Sequence, residues 1–228
     1  MKKTLTDLPT ESFTAEREWT VEGVPVLKAT IALPSPLAAK DAVSKRIRRY
    51  YRLQCRCYLR YCETVLLPWA TEEYRAARSV SSPPPYFTAC LSYCITYNEN
   101  GLWSLYTQSS EQTGSGPALL CRRGDTWDLA TGYPAALSAF FPPRDRWKRK
   151  LIAFAAEEIR RKESAGAAQY RENWRRYLRR SFNSRNFYLT PEGLVFFFPM
   201  YALASAAEQI PTFTVPYRAG GEKERPSC

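Results

Sequence analysis

From Phe13 to Leu33, Trp19, Thr20, Val21, Val24, Val26, Thr30 and Ile31 flank Glu22-Gly23, a pattern that predicts two strands around a turn. The period then changes. Val43, Ile47, Tyr50, Gln54, Tyr58, Tyr61 and Val65 recur at helical spacing, so one long helix is expected to bury this face, opening at Ser35-Pro36 and ending near Pro68. After the breaker at 81–85, Phe87, Ala89, Leu91, Tyr93, Ile95 and Tyr97 alternate with Thr88, Cys90, Ser92, Cys94 and Thr96, the signature of a half-buried strand. Asn100-Gly101 supplies a hairpin turn, and Leu102 to Thr107 returns as its partner. Glu111 to Pro117 reads as a loop and Leu119 to Leu129 as a further strand.

Beyond Pro142-Pro143, Trp147, Leu151, Phe154, Ala155 and Ile159 form the apolar face of a second helix. After Gly166, Tyr170, Trp174, Tyr177 and Leu178 form that of a third. Phe187-Tyr188-Leu189, a turn at 190–193 and Leu194 to Phe198 make a last hairpin. A short Ala-rich helix, a strand from Thr212 to Tyr217 and a disordered tail at 218–228 complete the expected order. The fold class is α+β, with mostly antiparallel sheets, one long N-terminal helix and two C-terminal-half helices packed on them. The expected division is an N-terminal companion domain over 1–112 and a C-terminal α+β domain over 113–217.

Composition narrows the chemistry. With 228 residues, 45% hydrophobic and 24% charged, the chain is globular, and its longest apolar run, Leu194 to Phe198, is far too short to cross a bilayer. No secretory signal follows Met1-Lys2-Lys3, so a cytoplasmic location without membrane insertion is expected. The chain has no histidine, which removes the commonest general base and zinc ligand. No enzyme activity, cofactor or metal is therefore expected. Seven cysteines, an odd number without a CxxC pair, read as reduced, mostly packed thiols.

The formal charge of +11 is unevenly spread. Lys40 to Arg60 carries a net +7 and Arg144 to Arg185 a net +9, so the positive charge belongs to particular helices. Lys45, Arg48, Arg49, Arg52, Arg56 and Arg60 line one side of the first helix. Arg171, Arg175, Arg176, Arg179 and Arg180 cluster on the third. Both sets are candidates for gripping phosphates, with Tyr51 or Trp174 as stacking groups, against the plainer reading of solvated helix faces.

Four ordered blocks carry a family resemblance: Trp127-Asp128-Leu129-Ala130-Thr131-Gly132, Leu137-Ser138-Ala139-Phe140-Phe141, Asn186 to Phe196, and Phe213-Thr214-Val215-Pro216-Tyr217. Together they resemble the extracellular domain of RsiV-type anti-sigma factors and the N-terminal module of PdaC-type peptidoglycan deacetylases. The resemblance implies a non-catalytic α+β unit that senses lysozyme in the former and accompanies a separate catalytic domain in the latter. It thus implies binding of a protein or a cell-wall-type glycan. Neither a membrane helix nor a deacetylase domain is present in the sequence. Where that family tends to carry a Thr-Gly-Gly-Ala-His-like loop, this chain reads Thr113-Gly114-Ser115-Gly116-Pro117. A basic partner such as lysozyme requires a locally acidic contact surface on so basic a chain.

The best candidate for a recognition edge combines Glu192, the rigid turn Pro199-Met200-Tyr201 and Ser115 in its glycine loop. Asp125 and Asp128, three apart in a strand, point to opposite faces and do not form a glycosidase pair; Asp128 suits a turn hydrogen bond. Gly114-Ser115-Gly116 lacks the following helix and lysine of a phosphate cradle. The alternative functional class is a basic adaptor for nucleic acid or another polyanion, held by Arg48, Arg52, Arg56, Arg60, Arg171, Arg175 and Arg179. The sequence does not fix an oligomeric state.

Overall fold

The structure, a computed structural model, describes residues 7–37, 42–166, 170–204 and 210–217. Strands β1 (Thr10–Val21) and β2 (Val24–Pro36) form the first hairpin. Helix α1 (Ala42–Tyr61) runs through a π-helical segment, Cys62–Leu66, directly into α2 (Leu67–Ser79). Strands β3 (Phe87–Glu99), β4 (Leu102–Gln112), β5 (Leu119–Asp128) and the short β6 (Tyr133–Pro134) follow. A 3-10 turn at Leu137–Phe140 leads to α3 (Trp147–Ser164), α4 (Trp174–Arg180), β7 (Phe187–Leu189), β8 (Gly193–Phe197) and β9 (Thr212–Pro216). The strands pair in the orders β1-β2-β3-β4-β5-β6 and β7-β8-β9, a mixed α+β arrangement. Asn100 and Gly101, both at positive φ (54° and 73°), make the two-residue turn that the hairpin twist demands.

Several expectations change. Ser35 and Pro36 close β2 instead of opening the helix: β3 pairs with β2 only over Leu27–Ile31, so the prolines lie where β1 is the sole partner and their missing N–H groups cost nothing. The β2–β3 pairing is parallel, which requires the long helical crossover. The helix does not stop at Pro68. The Leu67 N–H reaches back five residues to the Cys62 carbonyl, and the widened turn relieves the clash between a proline ring and the carbonyl four residues earlier. The two C-terminal-half helices are matched only in part: α3 is 18 residues long but α4 only seven. Where the Ala-rich helix was expected, Tyr201 to Ala204 form a turn and an isolated bridge to Tyr170. Residues 205–209 of that helix and the expected tail at 218–228 lie outside the described residues.

The chain gathers into two compact units that interleave in sequence instead of meeting at one point near residue 112. The N-terminal unit comprises Leu8–Cys94 and Thr107–Leu120; the C-terminal unit holds Ile95–Tyr106 and the described residues from Cys121 onward. In the N-terminal unit Val26, Leu27 and Ala29 of β2 and Phe87 and Ala89 of β3 pack against Cys62, Leu66, Ala70 and Tyr74 of the long helix.

In the C-terminal unit α3 (Leu151, Ala155, Ile159) and α4 (Trp174, Leu178) cover one face of the small sheet through Phe187, Leu189, Leu194, Phe196 and Phe213. The opposite face, Tyr188, Val195 and Phe197, packs on Tyr106 and Ile210. Burial on both faces explains the continuous apolar run of β8. Ser104 ties the layers together: its hydroxyl lies 2.7 Å from that of Thr126 and accepts the Leu189 N–H at 2.8 Å.

Candidate functional site

Helix α4 is two turns long and anchored by the buried Trp174 and Leu178. That anchoring leaves Arg175, Arg176, Arg179 and Arg180 to solvent, where they line a solvent-open depression of about 520 Å3. Among the described residues no carboxylate forms an ion pair with any of the four. Stacking fixes two neighbouring guanidinium groups: Arg175 lies 4.6 Å from the Trp174 ring centroid and Arg171, just ahead of the helix, 5.6 Å from that of Tyr177. The arrangement concentrates four permanent cations over apolar side-chain stems, a receptacle for an anionic group. Arg176 and Arg180 join Arg175 and Arg179 here.

Within the C-terminal unit the residues of the expected recognition edge stand beyond opposite ends of one strand. Glu192 lies in the β7–β8 turn, whereas Pro199, Met200 and Tyr201 follow the far end of β8, about 17 Å of strand away. Tyr201 is held at positive φ (63°) in a segment anchored by the fully buried Leu203 and Ala204. Ser115 belongs to the other unit. Around Glu192 the structure assembles a different group. The β8–β9 register, Gly193 opposite Pro216, brings Glu192 to Tyr217. The Tyr217 hydroxyl is pushed up to about 12 by burial, with Tyr97, Glu192 and Glu99 adding to the shift. The Asn100 amide donates to the Tyr97 hydroxyl at 3.1 Å. Two carboxylates among tyrosines thus form an acidic, aromatic edge of the C-terminal unit.

In the N-terminal unit the basic face of α1 is present as expected. Lys45, Arg46, Arg49, Arg52, Arg56 and Arg60 are exposed, and Arg48 is half-buried. The stacking groups are not. Tyr51 is 1% exposed and Trp174 3%, because both fall on core-facing positions of their helices, so neither can receive a base.

On the inner side of α1 lies a polar cluster that the sequence did not reveal. Tyr61 donates to Glu111 Oε2 at 2.9 Å, Gln54 Nε2 donates to the Thr107 hydroxyl at 2.9 Å, and Tyr58 and Tyr61 stack. Burial raises the pKa of Glu111, against hydrogen bonds from Tyr61 and Ser109 that lower it. Burial, reinforced by Glu111, pushes the Cys62 thiol up to about 12, and the same two causes raise Tyr58. These groups fasten the helix to β4, and burial shifts Glu111, Cys62 and Tyr58 each toward its uncharged form.

Remaining candidates have local roles. Asp128 accepts the Ala130 N–H at 2.7 Å, the turn role expected of it, and Asp125 pairs with Arg123 at 3.3 Å. The Gln112 amide donates to the Gly114 and Gly116 carbonyls, and the loop continues into strand β5, not a helix. None of the six described cysteines is in a disulfide, but only Cys55 and Cys62 are buried. Cys57, Cys90, Cys94 and Cys121 are exposed; on β3 the alternation that buries Phe87, Ala89 and Leu91 turns Cys90 and Cys94 outward. Among the described residues no group of three acidic or thiol side chains is placed to hold a metal ion, and no helix is long and apolar enough to cross a membrane.

Residues 138–218 match the model of a family described as a protein of unknown function, DUF3298. Two crystal structures share the fold. A member of that family from Bacteroides fragilis NCTC 9343 is 15% identical, over 94% of this chain and 92% of that one, with a TM-score of 0.68. A DUF3298 family protein from Pseudomonas aeruginosa PAO1 is 16% identical, over 92% and 91%, with a TM-score of 0.56. No curated protein matches the chain.

Proposed function

We propose that the chain is a non-catalytic binding module whose ligand is a polyanion of the cell-wall-glycan type, taken up by the arginine groove of α4. The observation that carries this reading is the convergence of Arg175, Arg176, Arg179 and Arg180 on one depression without a carboxylate partner among the described residues. Four uncompensated guanidinium groups repel one another, and an anion bridging two of them converts that repulsion into charge-assisted hydrogen bonds. A glycan is favoured over nucleic acid because Trp174, the aromatic that would stack a base, is buried. The absence of histidine supports recognition over chemistry.

The test is titration of the purified chain with a phosphate-bearing glycan polymer, a carboxylated one, neutral dextran and single-stranded DNA, each at low and physiological salt. Replacing Arg175 and Arg179 by glutamate is expected to weaken anionic-glycan binding at least tenfold, at about 1.5–3 kcal/mol per lost charged hydrogen bond. Unchanged binding by that variant, or DNA bound more tightly than glycan, would refute the reading.

A protein-sensing reading of the RsiV type is favoured by one observation, the acidic edge of Glu99, Glu192, Tyr97 and Tyr217. It supplies the negative contact surface that a basic partner needs on a positively charged chain. Charge reversal at Glu99 and Glu192 abolishes capture of a basic protein on this reading and leaves glycan binding intact.

A further inference from the structure

The π-helical segment changes which residues of the long helix face water. Val65 stands eighteen residues after Ile47, and Trp69 eighteen after Tyr51, about five complete turns of an uninterrupted α-helix. A straight helix would therefore stack Val65 beneath Ile47 and Trp69 beneath Tyr51, which are 0% and 1% exposed. Instead Val65 is 49% and Trp69 45% exposed, while Leu66 and Ala70 take the buried positions at 1% and 0%. The wider turn at Cys62–Leu66 sets the core register back by one residue.

The residues turned outward join a face already set apart by charge. Along α1 the exposed cations Arg49, Arg52, Arg56 and Arg60 form one ridge. Leu53, 51% exposed, lies beside that ridge, and Val65 and the outer side of Trp69, whose ring also meets the buried Phe87 edge-on at 5.2 Å, extend its apolar side beyond the π-helical segment. Helix α1 contains no carboxylate. The acids of the long helix border the patch: Glu63 is paired with Arg17, Glu73 accepts the Trp69 indole N–H at 3.4 Å, and Glu72 stands exposed three residues beyond Trp69. From Arg49 to Trp69 the face is about 30 Å long.

We infer that this face of the long helix docks on an anionic lipid surface, the arginines meeting headgroup phosphates and Leu53, Val65 and Trp69 entering the interfacial layer. A row of cations beside exposed aliphatic side chains and a tryptophan is the chemistry of a bilayer interface. Charge complementarity selects anionic over zwitterionic lipid. The apolar side selects lipid over nucleic acid, since aliphatic side chains gain nothing from a phosphate backbone and Tyr51 is unavailable for stacking. This surface belongs to the N-terminal unit and the α4 groove to the C-terminal one.

The test is sedimentation of the full chain with vesicles of pure phosphatidylcholine and of phosphatidylcholine containing roughly a third phosphatidylglycerol, in low and physiological salt. Binding to the anionic vesicles only, with a blue shift of tryptophan emission that Trp69→Phe removes, is expected. Arg52→Gln with Arg56→Gln should weaken partitioning more than tenfold, at about fivefold per cation. Leu53→Ser with Val65→Ser should weaken it while leaving the circular dichroism unchanged. The surface arginine pair tests the inference even if the Trp69 variant unfolds, and Arg175→Glu with Arg179→Glu should leave vesicle binding intact. Equal binding to neutral vesicles, no vesicle binding, full binding by the Gln pair, or single-stranded DNA bound in place of vesicles would overturn it.

Discussion

The register shift at Cys62–Leu66 yields a direct mutational contrast between adjacent residues. Leu66→Ala removes three buried carbons, about 2.4 kcal/mol at roughly 0.8 kcal/mol each, and the cavity left against β2 and β3 raises the cost to about 3–4 kcal/mol. Val65→Ala removes two carbons that are half in water already, about 0.8 kcal/mol, and alanine's better helix propensity returns roughly 0.5 kcal/mol of it. The expected difference is close to 3 kcal/mol. With a urea dependence of about 2 kcal/mol/M, that separates the two midpoints by more than 1 M. Urea titration followed by circular dichroism measures it, and amide hydrogen exchange over α1 and α2 assigns the loss to the N-terminal unit. A straight helix makes the two costs comparable, because Val65 then lies five turns beyond Ile47 and Leu66 three turns beyond the buried Cys55. If Val65→Ala destabilises as much as Leu66→Ala, the register shift is wrong, and the exposed apolar ridge falls with it.

Two further outcomes test the cores of the units. Because burial raises the pKa of Glu111, the fold favours its protonated form. Its stabilising contribution is complete below the unfolded value of about 4.3 and is lost as pH rises through the higher native value. Glu111→Gln, whose amide oxygen still accepts from Tyr61, is expected to gain thermal stability relative to the parent from pH 4 towards neutrality; parallel melting profiles would contradict this. In the C-terminal unit a Cβ on Gly124 would collide with the Phe187 carbonyl, its carbon only 2.6 Å away, and both groups are backbone. Gly124→Ala is therefore expected to cost about 3 kcal/mol or more, read from thermal unfolding, while Gly114→Ala, with nothing within 4 Å, stays within about 0.5 kcal/mol.

What the sequence disclosed followed from how local each signal is. The β1–β2 and β3–β4 turns were legible because Glu22-Gly23 and Asn100-Gly101 dictate left-handed backbone irrespective of what packs on them. The alternation of β3 and the apolar periods of α3 were legible for the same reason. Pro68 misled because its ordinary effect, ending a helix, was cancelled six residues upstream by a π turn that no residue pattern announces. The clue was indirect: Leu66, Ala70 and Tyr74 continue a four-residue apolar spacing, offset by one from the series ending at Val65. Pro36 misled because its tolerance in β2 depends on how far β3 extends, a non-local fact. Of the candidate sites, the basic stripes were visible as composition. The Glu111 cluster and the Glu192–Tyr217 edge depend on pairing between distant segments and had no local trace.

The two kinds of charged group on this chain respond to different conditions. Arginine does not lose its proton in the physiological range, so neither the α4 groove nor the ridge on α1 can be discharged by pH. Both are weakened by salt, since their guanidinium groups are exposed and counterions compete for them. Glu111 is the opposite case: burial shields it from counterions and raises its pKa above the ordinary carboxylate value, so it makes the stability of the fold sensitive to pH. Binding by either basic surface should therefore follow ionic strength at constant pH, and stability should follow pH at constant ionic strength. A pH dependence of anion or vesicle binding that Glu111→Gln abolishes would mean that the polar cluster beneath α1 controls the helix that carries the ridge. In that case the proton acts on that helix through the hydrogen bond from Tyr61 to Glu111 and through the charge that Glu111 presents to Tyr58 and Cys62.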